Sequence, residues 1–432
     1  MPPPMGSRII ASVLCWVLLL LTTAARARST SDTQPSASTQ PAQEPQSLQM
    51  PAPDYTTDLT GDWSGARTRL YNAGIDVGAK LFLEGFYNLQ GGVSTSHPVG
   101  ATTFDLDLTF DLAKLANING GTIFLDLEDH AFRNPSRSLV GDLQDFDFNN
   151  TPPYLVFAEA WYQQMLFNDK LRIKIGKIDA NGVTEFSVID NGVSFLNGSA
   201  QSSPTIFNMP TTPYQMPGID AFFTPADWYY AGVGVFYANQ SDRFGELIDD
   251  PASEEYTRFG SFIIGETGFR WHGTQFLPYA GNFKIGGWGQ TGTFEKFDGN
   301  PQRGTEGMYT IYDQTLYQPS GEPENGRGIR AFADYGLTQR DIYAIDQHVG
   351  AGFTDTGADV ASPRDVVGIG AQYAQISSEA RLRYPFELSI EGFDRIQITP
   401  WSSLQPDIQY ILHPGGEFKD AVVTTLRCEI DF

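Results

Sequence analysis

The feature that most constrains this chain is strict alternation of apolar and polar residues, sustained over runs longer than ordinary strands. In Phe104-Asp105-Leu106-Asp107-Leu108-Thr109-Phe110-Asp111-Leu112 every other residue is apolar and those between are Asp or Thr. Arg381 to Glu391 repeats the split, with Leu382, Tyr384, Phe386, Leu388 and Ile390 on one face. Leu171-Arg172-Ile173-Lys174-Ile175 does so with a basic polar face. Side chains point to opposite faces of a strand in turn, so each run has one apolar and one strongly polar face. A one-sided soluble sheet shares this local pattern. Run length separates the two, because a tilted bilayer-crossing strand needs about 9–11 residues and ordinary strands average about five or six.

We count about 16 such runs between residue 76 and Phe432, with boundaries indistinct after about residue 319. Long connections at 89–101, 131–153, 179–216 and 239–260 trade with short joins such as Phe167 to Lys170 and Thr224 to Asp227, the asymmetry of an outer-membrane barrel with long external loops. The last run places Val422, Thr424, Leu426, Cys428, Ile430 and Phe432 on one face and Arg427, Glu429 and Asp431 on the other. Its end on Phe432 resembles the terminal signature of bacterial outer-membrane β-barrels. The expectation is an all-β fold: a closed antiparallel transmembrane β-barrel of about 16 strands, with no open edge left in lipid. Trp161, Tyr162, Trp228, Tyr229, Tyr230 and Trp271 fall where interfacial aromatic girdles form, and Cys428 reads as a small outward hydrophobe.

Composition fits once the two faces are separated. The mean hydropathy of −0.26 and the charge of −23 look soluble, yet they average a lipid-facing face with a wet, charged lumen. The acidity argues against nucleic acid as a partner. At the N-terminus, Arg8, the apolar stretch Ile9–Leu21 and Ala25-Arg26-Ala27 predict a signal peptide over 1–27. Its cleavage takes the charge from −23 to −25 by removing two basic residues, and it discards Cys15. Residues 28–57, rich in Pro, Ser, Thr and Gln, read as a linker, and 58–432 as the barrel.

Catalytic and metal chemistry is not indicated. His97, His130, His272, His348 and His413 show no paired ligand spacing. Asp145, Asp147 and Asn149 copy the start of a calcium loop without its Gly and Glu. Gly287, Gly289 and Gly292 match a dinucleotide fingerprint only formally, since no helix pattern follows. No cofactor, metal or catalytic residue is expected.

Four blocks carry a family resemblance. Leu59-Thr60-Gly61-Asp62-Trp63-Ser64-Gly65-Ala66-Arg67-Thr68-Arg69-Leu70 with Gly74-Ile75, and Lys174 to Asn181 running on to Asp190-Asn191-Gly192, resemble the opening and central motifs of the OprB-type carbohydrate-selective porins. Pro363-Arg364-Asp365 with Gly368-Ile369-Gly370, and Ile398-Thr399-Pro400-Trp401 with Gln405 to Tyr410 and Pro414-Gly415-Gly416, are similar to later ones. The resemblance implies a 16-stranded barrel in the bacterial outer membrane that passes carbohydrate solutes by facilitated diffusion. It also implies a homotrimer, with the terminal strand recognised by the outer-membrane insertion machinery. The opening block reads as a short helix at the periplasmic mouth, capped by Asp62 or Ser64 and ended by Gly74.

Pore-lining candidates follow from the inward loops and polar faces. They are Arg133, Arg137 and Asp145 from 131–153; Asp179, Asn181, Glu185 and Asp190 from 179–216; and Lys174, Lys177, Glu266 and Arg270 from strands. Two other readings stand beside a sugar channel: a general or cation-preferring porin, and a secreted soluble β-rich protein that binds or cleaves glycans.

Overall fold

The computed structural model describes residues 53–432 apart from 133, 150, 152, 239–259, 274–276, 325 and 359–361. The expected signal peptide and Arg133 lie outside the described residues. Sixteen strands are present among those described. They are β1 (Ile75–Gln90), β2 (Val99–Asp111), β3 (Gly121–Phe132), β4 (Tyr154–Leu166), β5 (Leu171–Ile178), β6 (Met216–Ala226), β7 (Tyr229–Tyr237) and β8 (Ser261–His272). The second half comprises β9 (Ala280–Glu295), β10 (Pro301–Tyr317), β11 (Gly328–Thr338), β12 (Ile345–Thr356), β13 (Val366–Ile376), β14 (Phe386–Thr399), β15 (Ser402–Leu412) and β16 (Ala421–Asp431). Each pairs antiparallel with its sequence neighbours, and β16 closes on β1 with Lys80 opposite Asp431 and Asn88 opposite Val423. The strands beyond residue 319, indistinct in the sequence, are continuous, with register shifts at Ile345/Gln347 and Gln397/Thr399.

Closure explains how so polar a chain spans lipid, because every strand finds partners on both sides. The two faces separate as the alternation requires. On β16, Leu426 is 50% exposed while Arg427 beside it is 6% exposed. Ile369, Phe353 and Ile408 belong to the same outward set. Cys428 is a half-buried free thiol on that face. The aromatic expectation needs correction. Trp228 is exposed, but Trp161 and Tyr230 are buried inside the barrel, because each meets a charged group there: Lys174 lies over the Trp161 ring, and the Tyr230 hydroxyl donates to Glu266.

The opening block forms helix α1 (Ala66–Ala73). Its start differs from expectation. Gly65, not Asp62 or Ser64, is the capping residue, and Ser64 is itself left-handed at φ 58°. Asp62 still serves the helix, because its carboxylate accepts the Thr68 N–H at 2.8 Å. Gly74 does end it, at φ 98°, donating to the Leu70 and Tyr71 carbonyls. A second short helix, α2 (Leu112–Ala116), turns β2 into β3 and was not anticipated. Packing begins before residue 58: Tyr55 is buried, bonds Asp76 and stacks on the Arg67 guanidinium at 4.1 Å. Arg67 in turn pairs with Asp58 at 2.6 Å, and Leu59 N–H reaches the Asp431 carbonyl, so this segment is pinned to the last strand.

Candidate functional site

A barrel of this size would enclose an open shaft, and two loops fill much of it. The longer, between β5 and β6, lies inside the wall, with Phe186, Ile189, Phe195 and Leu196 completely buried. Room for it comes from inward glycines. A side chain at Gly370 would stand 2.7 Å from Phe195 Cε1, and one at Gly352 would stand 3.0 Å from Phe195 Cζ. Phe195 settles on this bare patch, edge-on to Phe332 and Phe393 with centroids at 5.5 and 5.0 Å. Phe186 packs against Phe222 with centroids at 4.7 Å and the rings tilted by 37°.

Wall carboxylates hold the loop by its backbone. Glu391 accepts the Leu196 and Asn197 N–H groups at 2.6 and 3.1 Å. Asp313 accepts those of Asp190 and Asn191, and Glu266 accepts that of Ser187. The loop between β3 and β4 is held alike: Glu387 takes the Leu143 and Gln144 N–H groups, and Arg427 pairs with Asp147 at 3.2 Å and with Glu84 at 2.5 Å. A buried acceptor that meets two adjacent amides satisfies groups that would otherwise be orphaned away from water.

Most residues selected from sequence belong to this bracing. Lys174 and Arg172 both pair with Glu185. Asp190 pairs with Lys284 at 2.9 Å and accepts from Asn282. Asp179 accepts from Asn181 and Thr212, and Asn181 donates to the Phe186 carbonyl. Lys177 donates to the Phe157 carbonyl at 2.7 Å. Glu266 collects Tyr230, Tyr309 and Ser187. Arg270 lies 4.6 Å over the Tyr230 ring. Arg137 is exposed in the short π-helical turn Ser136–Val140, and Asp145 is exposed at a left-handed position.

Loop carboxyls respond to this setting. Burial pushes the Glu185 group up, but the Arg172 and Lys174 charges outweigh it and hold the group below the usual carboxylate range. Burial pushes Asp142 up to about 6, with bonds from Ser136 and the Phe146 N–H opposing. Burial also raises Asp179 against its amide bonds.

Open space remains on the other side, as a cavity of about 520 Å³ against β1–β3. Its wall carries Asp105, Asp126 and Glu128. In register, Asp105 stands opposite Glu128 and Asp107 opposite Asp126, a four-carboxylate square across two strands. Sequence reasoning missed these residues, although their signal was the polar face of the very run that disclosed the barrel. Phe82 and Phe148 also touch the cavity. Among the described residues no cluster suits a metal ion.

The comparisons agree with this architecture. The model of the carbohydrate-selective porin, OprB family, matches residues 100–432. Porin B of Pseudomonas aeruginosa is 21% identical over 427 residues, covering 87% of this chain and 91% of that protein. The high-pH structure of Pseudomonas putida OprB superposes with a TM-score of 0.77 at 19% identity, over 87% of this chain and 98% of that one. Its low-pH structure gives 0.58 at 18% identity, over 88% and 100%. A sixteen-stranded barrel with a polar, loop-narrowed lumen, matched by the family model over most of its length, places the chain in the OprB family of carbohydrate-selective porins, channels of the bacterial outer membrane.

Proposed function

We propose that carbohydrates cross through the cavity beside the Asp105, Asp107, Asp126 and Glu128 square, and that this path favours neutral and cationic solutes over anionic ones. The observation that carries the reading is an imbalance of charge. Six inward cations, Arg172, Lys174, Lys284, Lys80, Arg395 and Arg427, pair with carboxylates, while Asp105, Asp126 and Glu128 border the open space. Carboxyl oxygens accept hydrogen bonds from sugar hydroxyls, and a wall biased to one sign raises the local concentration of opposite charge. Weak, repeated contacts of this kind let a solute enter and leave. Asp179 and Asn181 line the cavity and border the path, while Lys174, Lys177, Glu185, Asp190 and Glu266 act as positioning residues that shape it without touching solute. Asp145 also lines the cavity, and Arg137 and Arg270 are assigned no solute contact. The conduit is passive and involves no chemical step.

Liposome swelling with a neutral hexose, an amino sugar and a sugar acid tests this. The expected order of rates is amino sugar at or above hexose, with the sugar acid slowest. A sugar acid as fast as the hexose would overturn the charge preference, and no swelling by any sugar would overturn the path. The same charge imbalance favours the cation-preferring reading as a second property of the same pore, read as a reversal potential in a salt gradient. Family membership supports a homotrimer and recognition of the terminal strand by insertion machinery; light scattering in detergent and truncation of Phe432 test these.

A further inference from the structure

Two aromatic rings of the cavity wall stand among charged neighbours. Phe82 occupies an inward position on β1 between the charged residues Lys80 and Glu84. Phe148 follows Asp147 on the β3–β4 loop, and unlike Phe146 nearby it is only half-buried. Both rings touch the open cavity. Both are held by one guanidinium: Arg427 Cζ lies 5.4 Å from the Phe82 centroid and 4.6 Å from that of Phe148. Arg427 is itself fixed, by Glu84 at 2.5 Å and by Asp147 at 3.2 Å, so the rings share a rigid support.

Leaving two aromatic rings wet costs free energy unless something apolar covers them. A cation behind a ring occupies one of its faces and leaves the other to whatever enters the cavity. The carboxylates of Asp105, Asp126 and Glu128 border the same space. We propose that Phe82 and Phe148 form a pyranose-stacking subsite: the C–H face of a hexopyranose lies on the rings while its hydroxyls donate to the acidic wall. Arg427 is its positioning residue. The ligand class is a cyclic neutral sugar, because an acyclic polyol offers the hydroxyls without a flat C–H face. This rests on the reading of the cavity as the sugar path.

The test measures sugar-induced fluctuation of ion current through single channels of the full mature protein, with glucose as the ring sugar and mannitol as the acyclic control. The expected result is a glucose affinity above that for mannitol, and a roughly three- to tenfold loss of glucose affinity in Phe82→Ala and in Phe148→Ala. Phe82→Tyr, which keeps the ring, is expected to retain glucose affinity, and Phe353→Ala on the lipid face serves as the control for truncation alone. Arg427→Lys keeps the charge but not the planar support, and is expected to weaken glucose binding. Wild-type affinity in both alanine variants, or equal affinity for glucose and mannitol, would overturn the subsite. If wild-type channels show no glucose-dependent fluctuation while glucose still swells liposomes, the subsite falls and the path stands. If no sugar swells them, both fall.

Discussion

Arg172 on β5 donates through Nη2 to Glu185 Oε2 at 2.6 Å, with both side chains almost fully buried. This pair joins the barrel wall to the loop that narrows it, and Asp220 at 3.0 Å and Lys174 complete a two-by-two charge cluster. Removing one member of a buried pair costs about 3–5 kcal/mol, since the partner is left charged and unmatched. Glu185→Gln is therefore expected to lower the thermal midpoint in detergent and to raise current noise. An unaltered midpoint and quiet channels would show that the loop is held elsewhere.

The same cluster sets a pH dependence. With its carboxyl held below the usual range, Glu185 stabilises the loop fully above the ordinary glutamate range, and the contribution is lost as pH falls through its lowered value. The tether therefore persists below the pH at which free glutamates protonate. Limited proteolysis across a descending pH series is expected to find the loop protected until that point. Glu185→Gln is expected to flatten this step.

Adjacent glycines on β9 make a matched pair. A Cβ on Gly286 would collide with the Tyr309 ring inside the barrel, whereas one on Gly287, on the outward face, meets only the Gly307 carbonyl oxygen at 3.7 Å. Gly286→Ala is expected to destabilise by about 1–3 kcal/mol through overpacking, and Gly287→Ala to be nearly neutral. Denaturant unfolding of the two single variants compares them directly; equal midpoints would mean that the interior yields freely.

Neutralising the acidic wall isolates its electrostatic role. Asp105→Asn with Asp126→Asn leaves the strand pairing untouched and halves the square. The cation-over-anion permeability ratio is expected to fall by about twofold or more, measured as a reversal potential at low salt, where screening is weakest.

Leu426 and Arg427 are chain neighbours on opposite faces. Leu426→Lys puts a charge into lipid at a cost of about 2–4 kcal/mol near the midplane. The expected outcome is a lower yield of folded, heat-modifiable barrel in membranes. Normal yield would place Leu426 outside the hydrocarbon.

The sequence by itself determined the barrel, its approximate strand number and the face of the charged residues in its plainest runs. These follow from a two-residue period, and slipping a strand by one residue would turn its charges into lipid. Gly74 likewise announced the end of α1, because a left-handed cap selects glycine. The tertiary structure alone decided which lumen residues are open. Lys174 and Glu266 face inward, as alternation requires, yet loop 179–215 covers them, while Asp105 and Asp126 in the plainest run of the chain border the free space. Contacts such as Leu196 to Glu391 link residues far apart along the chain. Local period carries no information about which wall a loop will meet. That choice was made by the bare floor at Gly352 and Gly370, which has meaning only once β12 and β13 lie side by side and Phe195 reaches them.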